Sequence, residues 1–198
     1  MKNAISHVPP VVRQVDERDM PQVRAIYDKY VRHTAFTFDY AAPTVEKMTH
    51  DMHEVLCRYP YLVCAQGDEV KGYAYAHSVS PRESYKWTVE LSIYLDTDSC
   101  GRGIGHRLYG ALLSLLRCQN VQTAYACITH PNPVSERFHQ SMGFSFLAKW
   151  PHSGYKFGRW HDVVWMEKRL GSCPVPAPEL VCFNDLPPQK VKQVLDEA

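Results

Sequence analysis

No run of apolar residues in this 198-residue chain approaches the roughly 20 needed to cross a bilayer, so no membrane partner is expected. Neither sign of charge dominates. With 22 Lys and Arg against 21 Asp and Glu, and no basic block or stripe, nucleic acid is set aside as a partner. No C-x-x-C pair occurs among the seven irregularly spaced cysteines, which excludes a zinc ribbon and a thioredoxin-like motif. His50, His53 and Cys57 share a helix face at i, i+3 and i+7. No fourth ligand of matching spacing follows them, so no metal is expected. The N-terminal residues lack the apolar stretch of an export signal, and a cytoplasmic protein with reduced thiols is the expectation. There is no internal repeat.

What the chain does contain is a regular alternation of strand and helix signals. Val11–Val15 reads as a short strand. Asp19 caps a helix with Pro21 in its first turn, running to about His33 with Val23, Ile26, Tyr27, Tyr30 and Val31 at helical spacing. Pro43–Thr44 opens a second helix. Tyr61–Gln66 and Lys71–His77 form a hairpin around Gly67–Asp68, and Ser78–Lys86 is a polar loop. Thr88–Leu95 is a strand, Gly105–Cys118 a helix and Thr123–Thr129 a strand. Asn132–Pro133 starts a helix that Gly143 stops. Phe144–Lys149 and Val163–Arg169 are late strands around a loop, Pro151–Asp162. Five prolines after Gly171 forbid regular structure over most of the tail, leaving only Gln189–Asp196 as a short helix. The pattern predicts an α+β fold, a mixed and largely antiparallel twisted sheet with helices on both faces. It divides into an extension (1–10), one domain (11–170) and a Pro-rich tail (171–198).

The segment Thr88–Leu116 carries the chemistry. Its strand alternates, with Val89, Leu91, Ile93 and Leu95 on one face and Glu90, Ser92 and Tyr94 on the other. An acid in a half-buried strand has its proton affinity raised by lost hydration, which suits a general base. Gly101, Gly103 and Gly105 then alternate at the mouth of a helix. Without Cβ atoms they let backbone N–H groups converge, and the helix N-terminus adds partial positive charge, so the turn is an anion site. The G-x-G-x-G spacing departs from a dinucleotide fingerprint, and no acid stands about 20 residues on to meet a ribose. The lysine of a P-loop is missing too.

Cys100-Gly101-Arg102-Gly103-Ile104-Gly105 resembles the acyl-CoA pyrophosphate loop of the GNAT N-acetyltransferases, with Cys100 where that family usually has Gln or Arg. Ile128–Phe144 is similar to its second cofactor segment. Arg58–Val63, Tyr85–Glu90 and Gly154–Val163 resemble runs of the phosphinothricin and methionine sulfoximine acetyltransferase branch. The resemblance covers residues 11–170 and implies acetyl-CoA as co-substrate with no metal. Ile93, Tyr94 and Leu95 would lie along its pantetheine arm, and Gly101, Arg102, Gly103, Ile104, Gly105 and His106 under its pyrophosphate. Asn132 and Ser135 would hold the arm in the second segment. Glu90 would be the base, the Leu95 amide the donor to the thioester oxygen, and His139 a group near the thiol.

For the acceptor, a small-molecule amine, the resemblance implies Arg82 gripping an amino-acid carboxylate, with Phe38, Tyr85, Glu90 and Ser92 around it and Trp87 as further wall. A homodimer is expected from the resemblance and from the aromatic loop Tyr155–Trp160. Other readings remain open on the residues alone. The acceptor could be a polyamine, an antibiotic amine or a protein N-terminus. The chain could bind acyl-CoA without catalysis, or use Cys127 or Cys100 as a nucleophile.

Overall fold

The computed structural model describes residues 9–198, so most of the expected extension over 1–10 lies outside the described residues. Seven strands form one sheet in the order β1-β2-β3-β4-β5-β7-β6. They are β1 Val11–Gln14, β2 Tyr61–Gln66, β3 Glu69–Ser78, β4 Thr88–Leu95, β5 Thr123–His130, β6 Ser145–Lys156 and β7 Arg159–Arg169. Every pairing is antiparallel except β4 with β5. The helices are α1 Met20–His33, α2 Val45–Leu56, α3 Ile104–Cys118, α4 Pro133–Ser141 and α5 Pro188–Asp196.

Neighbouring residues of a strand face opposite sides of a sheet, and β4 shows which helices cover which side. Tyr27 and Tyr30 of α1 pack edge-on against Tyr94, each with ring centroids 5.1 Å apart. The first turn of α3 instead meets Leu95, next along the chain. Helices therefore cover both faces. Val89 and Leu91 on the α3 side are buried against Leu108, Leu112, Leu115 and Leu116, as the alternation required.

Two local expectations are corrected. Asp19 makes no capping bond to α1. Asp16 opens a short 3-10 turn ahead of the helix, and Asp19 accepts the Asp16 amide at 2.8 Å and both arms of Arg13 at 2.6 and 2.7 Å. Burial opposes ionisation of Asp19, but the Arg13 fork and that amide hold its carboxyl below the usual range. The loop Pro151–Asp162 is instead a hairpin. Phe157 (φ 51°) and Gly158 (φ 75°) make a two-residue turn with both angles positive, the form whose twist matches paired strands. Pro151 is accommodated by a bulge. Between the pairs Trp150↔Val163 and Gly154↔His161, β6 has three residues where β7 has one.

The tail has the expected helix, α5, but the proline-rich stretch before it is packed rather than loose. Trp87 Nε1 donates to the Pro178 carbonyl at 2.8 Å and Gln119 Nε2 to that of Val181 at 2.8 Å. Phe183, Leu186 and Val194 are buried in the common core. Arg107 donates to the carbonyls of Pro10 and Ala198, tying the two ends of the described chain to α3.

Candidate active site

The parallel pair β4–β5 stays in register only over Thr88↔Thr123, Val89↔Ala124 and Glu90↔Tyr125. Beyond Glu90 both strands continue without pairing to each other, β4 held by β3 and β5 by β7. A cavity of about 500 Å³ occupies the resulting split. Residues Glu90 to Leu95 wall one side, Ala126 to Thr129 the other, and Asn132, Ser135, Phe138 and His139 of the α4 segment close one end. Tyr30, Phe36 and Phe38 close the α1 side.

Glu90 stands where the strands part. Burial pushes its carboxyl above the usual carboxylate range, opposed by His77, its cross-strand partner on β3. No hydrogen bond to the carboxylate occurs among the described residues, and no other formally charged side chain lines the cavity. An unpaired acid in an apolar cleft is poised to take a proton rather than to hold the fold together.

At the other end, the three glycines serve different ends. Gly101 (φ 77°) and Gly103 (φ 78°) are left-handed, and a Cβ on either would point into open space. Their positive φ angles are what call for glycine at these two positions. Gly105 is helical and lines the cavity. A Cβ there would stand 3.3 Å from Phe138 Cε2 and 3.5 Å from Leu95 Cδ1, so its bareness lets α3 pack closely. The first turn of α3 carries no acidic residue and no side-chain cap, leaving its amides free for an anion. Arg102 and His106 are exposed beside this turn and Ile104 is buried beneath it; none of them lines the cavity. His106 Nε2 lies 3.0 Å from Ser141 Oγ.

Asn132 does cap α4, accepting the Ser135 amide at 3.2 Å on Oδ1, while its Nδ2 has no partner among the described residues. His139 lines the cavity with both ring nitrogens engaged. Nδ1 lies 2.8 Å from the Ser135 carbonyl, so it carries the proton, and Nε2 accepts from the buried Tyr109 hydroxyl at 2.9 Å. Burial lowers its proton affinity, with the Ser135 carbonyl opposing, so the ring is held neutral. Of the acceptor-side residues named from sequence, Phe38 and Ser92 line the cavity. Arg82, Tyr85 and Trp87 do not. Arg82 precedes the short turn Glu83–Tyr85, exposed, and its guanidinium meets no partner among the described residues.

A model of the acetyltransferase (GNAT) domain matches residues 12–165. The phosphinothricin N-acetyltransferase of Streptomyces coelicolor is 34% identical over 164 residues, 80% of this chain and 95% of that protein. The L-methionine sulfoximine/L-methionine sulfone acetyltransferase of Salmonella typhimurium is 31% identical, covering 83% and 97%. A crystal structure of a phosphinothricin acetyltransferase from Sinorhizobium meliloti, in complex with acetyl-CoA, superposes with a TM-score of 0.81 at 27% identity, covering 89% and 97%. The chain belongs to the GNAT acetyltransferase family.

In this GNAT protein, Tyr30, Phe36, Cys127, Val134 and Phe138 line the site without having been singled out for it from sequence. Tyr30 could have been found only through its partner, since its hydroxyl donates from α1 to the Leu95 carbonyl at the end of β4, at 2.7 Å. Cys127 was read only as a nucleophile. It is exposed at the cavity wall, yet lost hydration of its thiol, with Glu90 adding to it, pushes the group up to about 12 and away from the thiolate. Cys100, near the glycine turn, is shifted the same way by burial and Asp96. Neither thiol is built to attack.

Proposed function

We propose that this protein transfers the acetyl group of acetyl-CoA to the primary amine of a small amino acid or analogue, of the phosphinothricin or methionine sulfoximine type. The observation that carries the reading is the split between β4 and β5, with an unpaired Glu90 at its vertex and a glycine cradle at its far end. Gly101, Gly103 and the first amides of α3 hold the pyrophosphate. Ile93, Tyr94 and Leu95 on one side, and Asn132 and Ser135 on the other, flank the pantetheine arm. Bound in this way, acetyl-CoA supplies an activated thioester.

Glu90 takes the proton of the acceptor ammonium, and the free amine attacks the thioester directly. The Leu95 amide donates to the oxygen as charge builds there, a contribution of about 3 kcal/mol for one such donor. As the intermediate collapses the C–S bond breaks, and the departing thiolate takes up the proton that the newly acylated nitrogen loses. His139 acts near the thiol through position: its ring steadies Ser135 at the wall and is held from behind by the buried Tyr109, since its one proton is already committed to a backbone carbonyl.

The free guanidinium of Arg82, which stands outside the cavity lining, is suited to an acceptor carboxylate, with Phe38 and Ser92 around the acceptor in the cavity. A polyamine would call for several acids, and Glu90 is the only one in the lining. Release of CoA thiol with phosphinothricin, methionine sulfoximine, putrescine and a peptide N-terminus tests the assignment. Faster turnover of putrescine or the peptide overturns the amino-acid reading and leaves the transferase reading standing.

A homodimer and a cytoplasmic location belong to the same reading. Phe146, Trp150, Tyr155, Phe157 and Trp160 are exposed on or beside edge strand β6, a combination that buried interfaces favour. Sedimentation at micromolar concentration giving a 22.7 kDa species would exclude the dimer. No helix among the described residues is long and apolar enough to cross a membrane.

A further inference from the structure

The aromatic wall of the cavity comes from the least regular part of the domain. Phe36 and Phe38 lie in residues 34–44, which join α1 to α2 without helix or strand. Such a segment has few backbone bonds of its own, so something else must hold its rings in place. Some of the hold comes from α1, where the Tyr27 hydroxyl lies 2.7 Å from Thr37 Oγ1 and donates to Asp39 Oδ2 at 2.8 Å.

The rest comes from the far end of the chain. Lys156, at the tip of the β6–β7 hairpin, is only 2% exposed, and its Nζ donates to the Thr37 carbonyl at 2.8 Å. The Tyr40 hydroxyl donates to the Tyr155 carbonyl at 2.6 Å. Between these ties the Phe38 ring rests directly on Gly154. A Cβ added at Gly154 would lie 2.3 Å from Phe38 Cζ and 2.4 and 2.6 Å from two more ring atoms. His161, paired with Gly154 across the hairpin, has its ring 6.1 Å from that of Phe38. Burying an ammonium is costly, so a buried lysine held by the Thr37 carbonyl, with Asp39 of the same segment and the Phe157 ring nearby, marks a position the fold must fix. The bulge that absorbs Pro151 brings Gly154 into register under the ring.

We propose that the β6–β7 hairpin tip is the seat of the acceptor wall: Gly154 and Lys156 are positioning residues that set where Phe38, and with it Phe36, stands in the cavity. Neither residue lines the cavity itself. Both act through residues 34–44. The consequence for acceptor recognition rests on the reading of this side of the cavity as the acceptor side. Any side chain at 154 would drive the Phe38 ring into the space the acceptor occupies or lift the segment off its seat. The remedy for such a change is a smaller residue at 38, not a change at the glycine cradle.

Backbone amide exchange measured on the full chain tests the seat without any substrate. In Gly154→Ala and Lys156→Met, residues 34–42 should exchange about tenfold faster or more, with β3 and α3 unchanged. In the same variants KM for the best amino-acid acceptor should rise about tenfold while the acetyl-CoA dissociation constant stays within about twofold. The double variant Gly154→Ala/Phe38→Leu, in which the smaller side chain makes room for the new methyl, should recover exchange protection in 34–42. Unchanged exchange in both single variants overturns the proposal, as does loosening spread through β3 and α3. So does a loosened segment with an unchanged KM, or a double variant no better protected than Gly154→Ala. If the wild type acetylates no amino acid, the acceptor assignment falls, while the exchange result still decides the seat.

Discussion

Replacing Glu90 by Gln keeps the size of the side chain and removes its ability to take a proton. No other side chain lining the cavity offers a free base, since both ring nitrogens of His139 are engaged and His77 does not line it. Burial raises the proton affinities of the Tyr75 and Tyr94 hydroxyls, and Cys127 at about 12 is fully protonated near neutrality. General-base help is worth roughly 10²–10⁴ in rate, or about 2.7–5.4 kcal/mol of barrier at about 1.36 kcal/mol per decade. The expected result in a thiol-release assay is a fall in kcat of that size near pH 7, with the acetyl-CoA dissociation constant unchanged. The deficit should narrow as pH rises, because more acceptor then arrives already deprotonated.

Stability supplies a second arm with a definite sign. The folded-state proton affinity of Glu90 is raised by burial, so the folded chain binds the proton more tightly than the unfolded one. The group's favourable contribution is then full below the unfolded carboxyl value and is lost as pH climbs through the raised folded value. At pH 7 the buried charge is a net burden, and Glu90→Gln should melt slightly higher than wild type. That advantage should fade as the pH is lowered through the carboxylate range. A rate loss that is equal at every pH, together with a lower melting temperature at pH 7, would refute the base assignment and make Glu90 a structural residue.

Three further outcomes follow from the geometry. Gly103→Val should abolish acetyl-CoA binding in calorimetry, because φ of 78° is closed to a β-branched residue and its side chain would fill the open space above the turn; retained affinity would remove the cradle from the mechanism. His77→Gln removes the side chain whose electrostatic effect lowers the proton affinity of Glu90, so the acid limb of the kcat/KM profile should move to higher pH, and an unmoved limb would mean the two do not interact. Arg82→Ala should raise KM for amino acids by about tenfold to a few hundredfold, the worth of one charge-assisted pair, and leave decarboxylated analogues nearly unaffected; equal losses for both would take Arg82 out of recognition.

What could be read from the sequence, and what could not, divides by the range of the interaction involved. Glu90 was legible because a period of two puts an acid on the face opposite four apolar residues of one strand, and strand periodicity is local. The glycine turn was legible for the same reason, although sequence could not say that Gly101 and Gly103 are there for their φ angles and Gly105 for close packing on Phe138. Elements carried by their own caps and spacing, such as α2 behind Thr44 and α4 behind Asn132, came out within a residue or two. One failure is local, Asp19 being taken up by Asp16 and Arg13 close by in the chain, and the others reach further. Pro151 argued for a loop on local grounds, yet Asp162 on the facing strand accepts the His152 amide at 2.9 Å and stabilises a bulge instead. Prolines hid the docking of the tail because docking through Trp87 and Gln119 leaves no period in the tail itself. His139 was placed at the site but not understood, since the hydroxyl that occupies its second nitrogen belongs to another helix. Lys156 and Gly154 are the extreme case: a bare glycine and a lysine in a family-like run mean nothing until Phe38 and Thr37 are folded against them. Chemistry in this chain is written locally, along β4 and the turn after it, whereas the shape offered to the acceptor is decided between segments more than 100 residues apart. Proteins that share the local signature can therefore differ in acceptor through residues that never touch it.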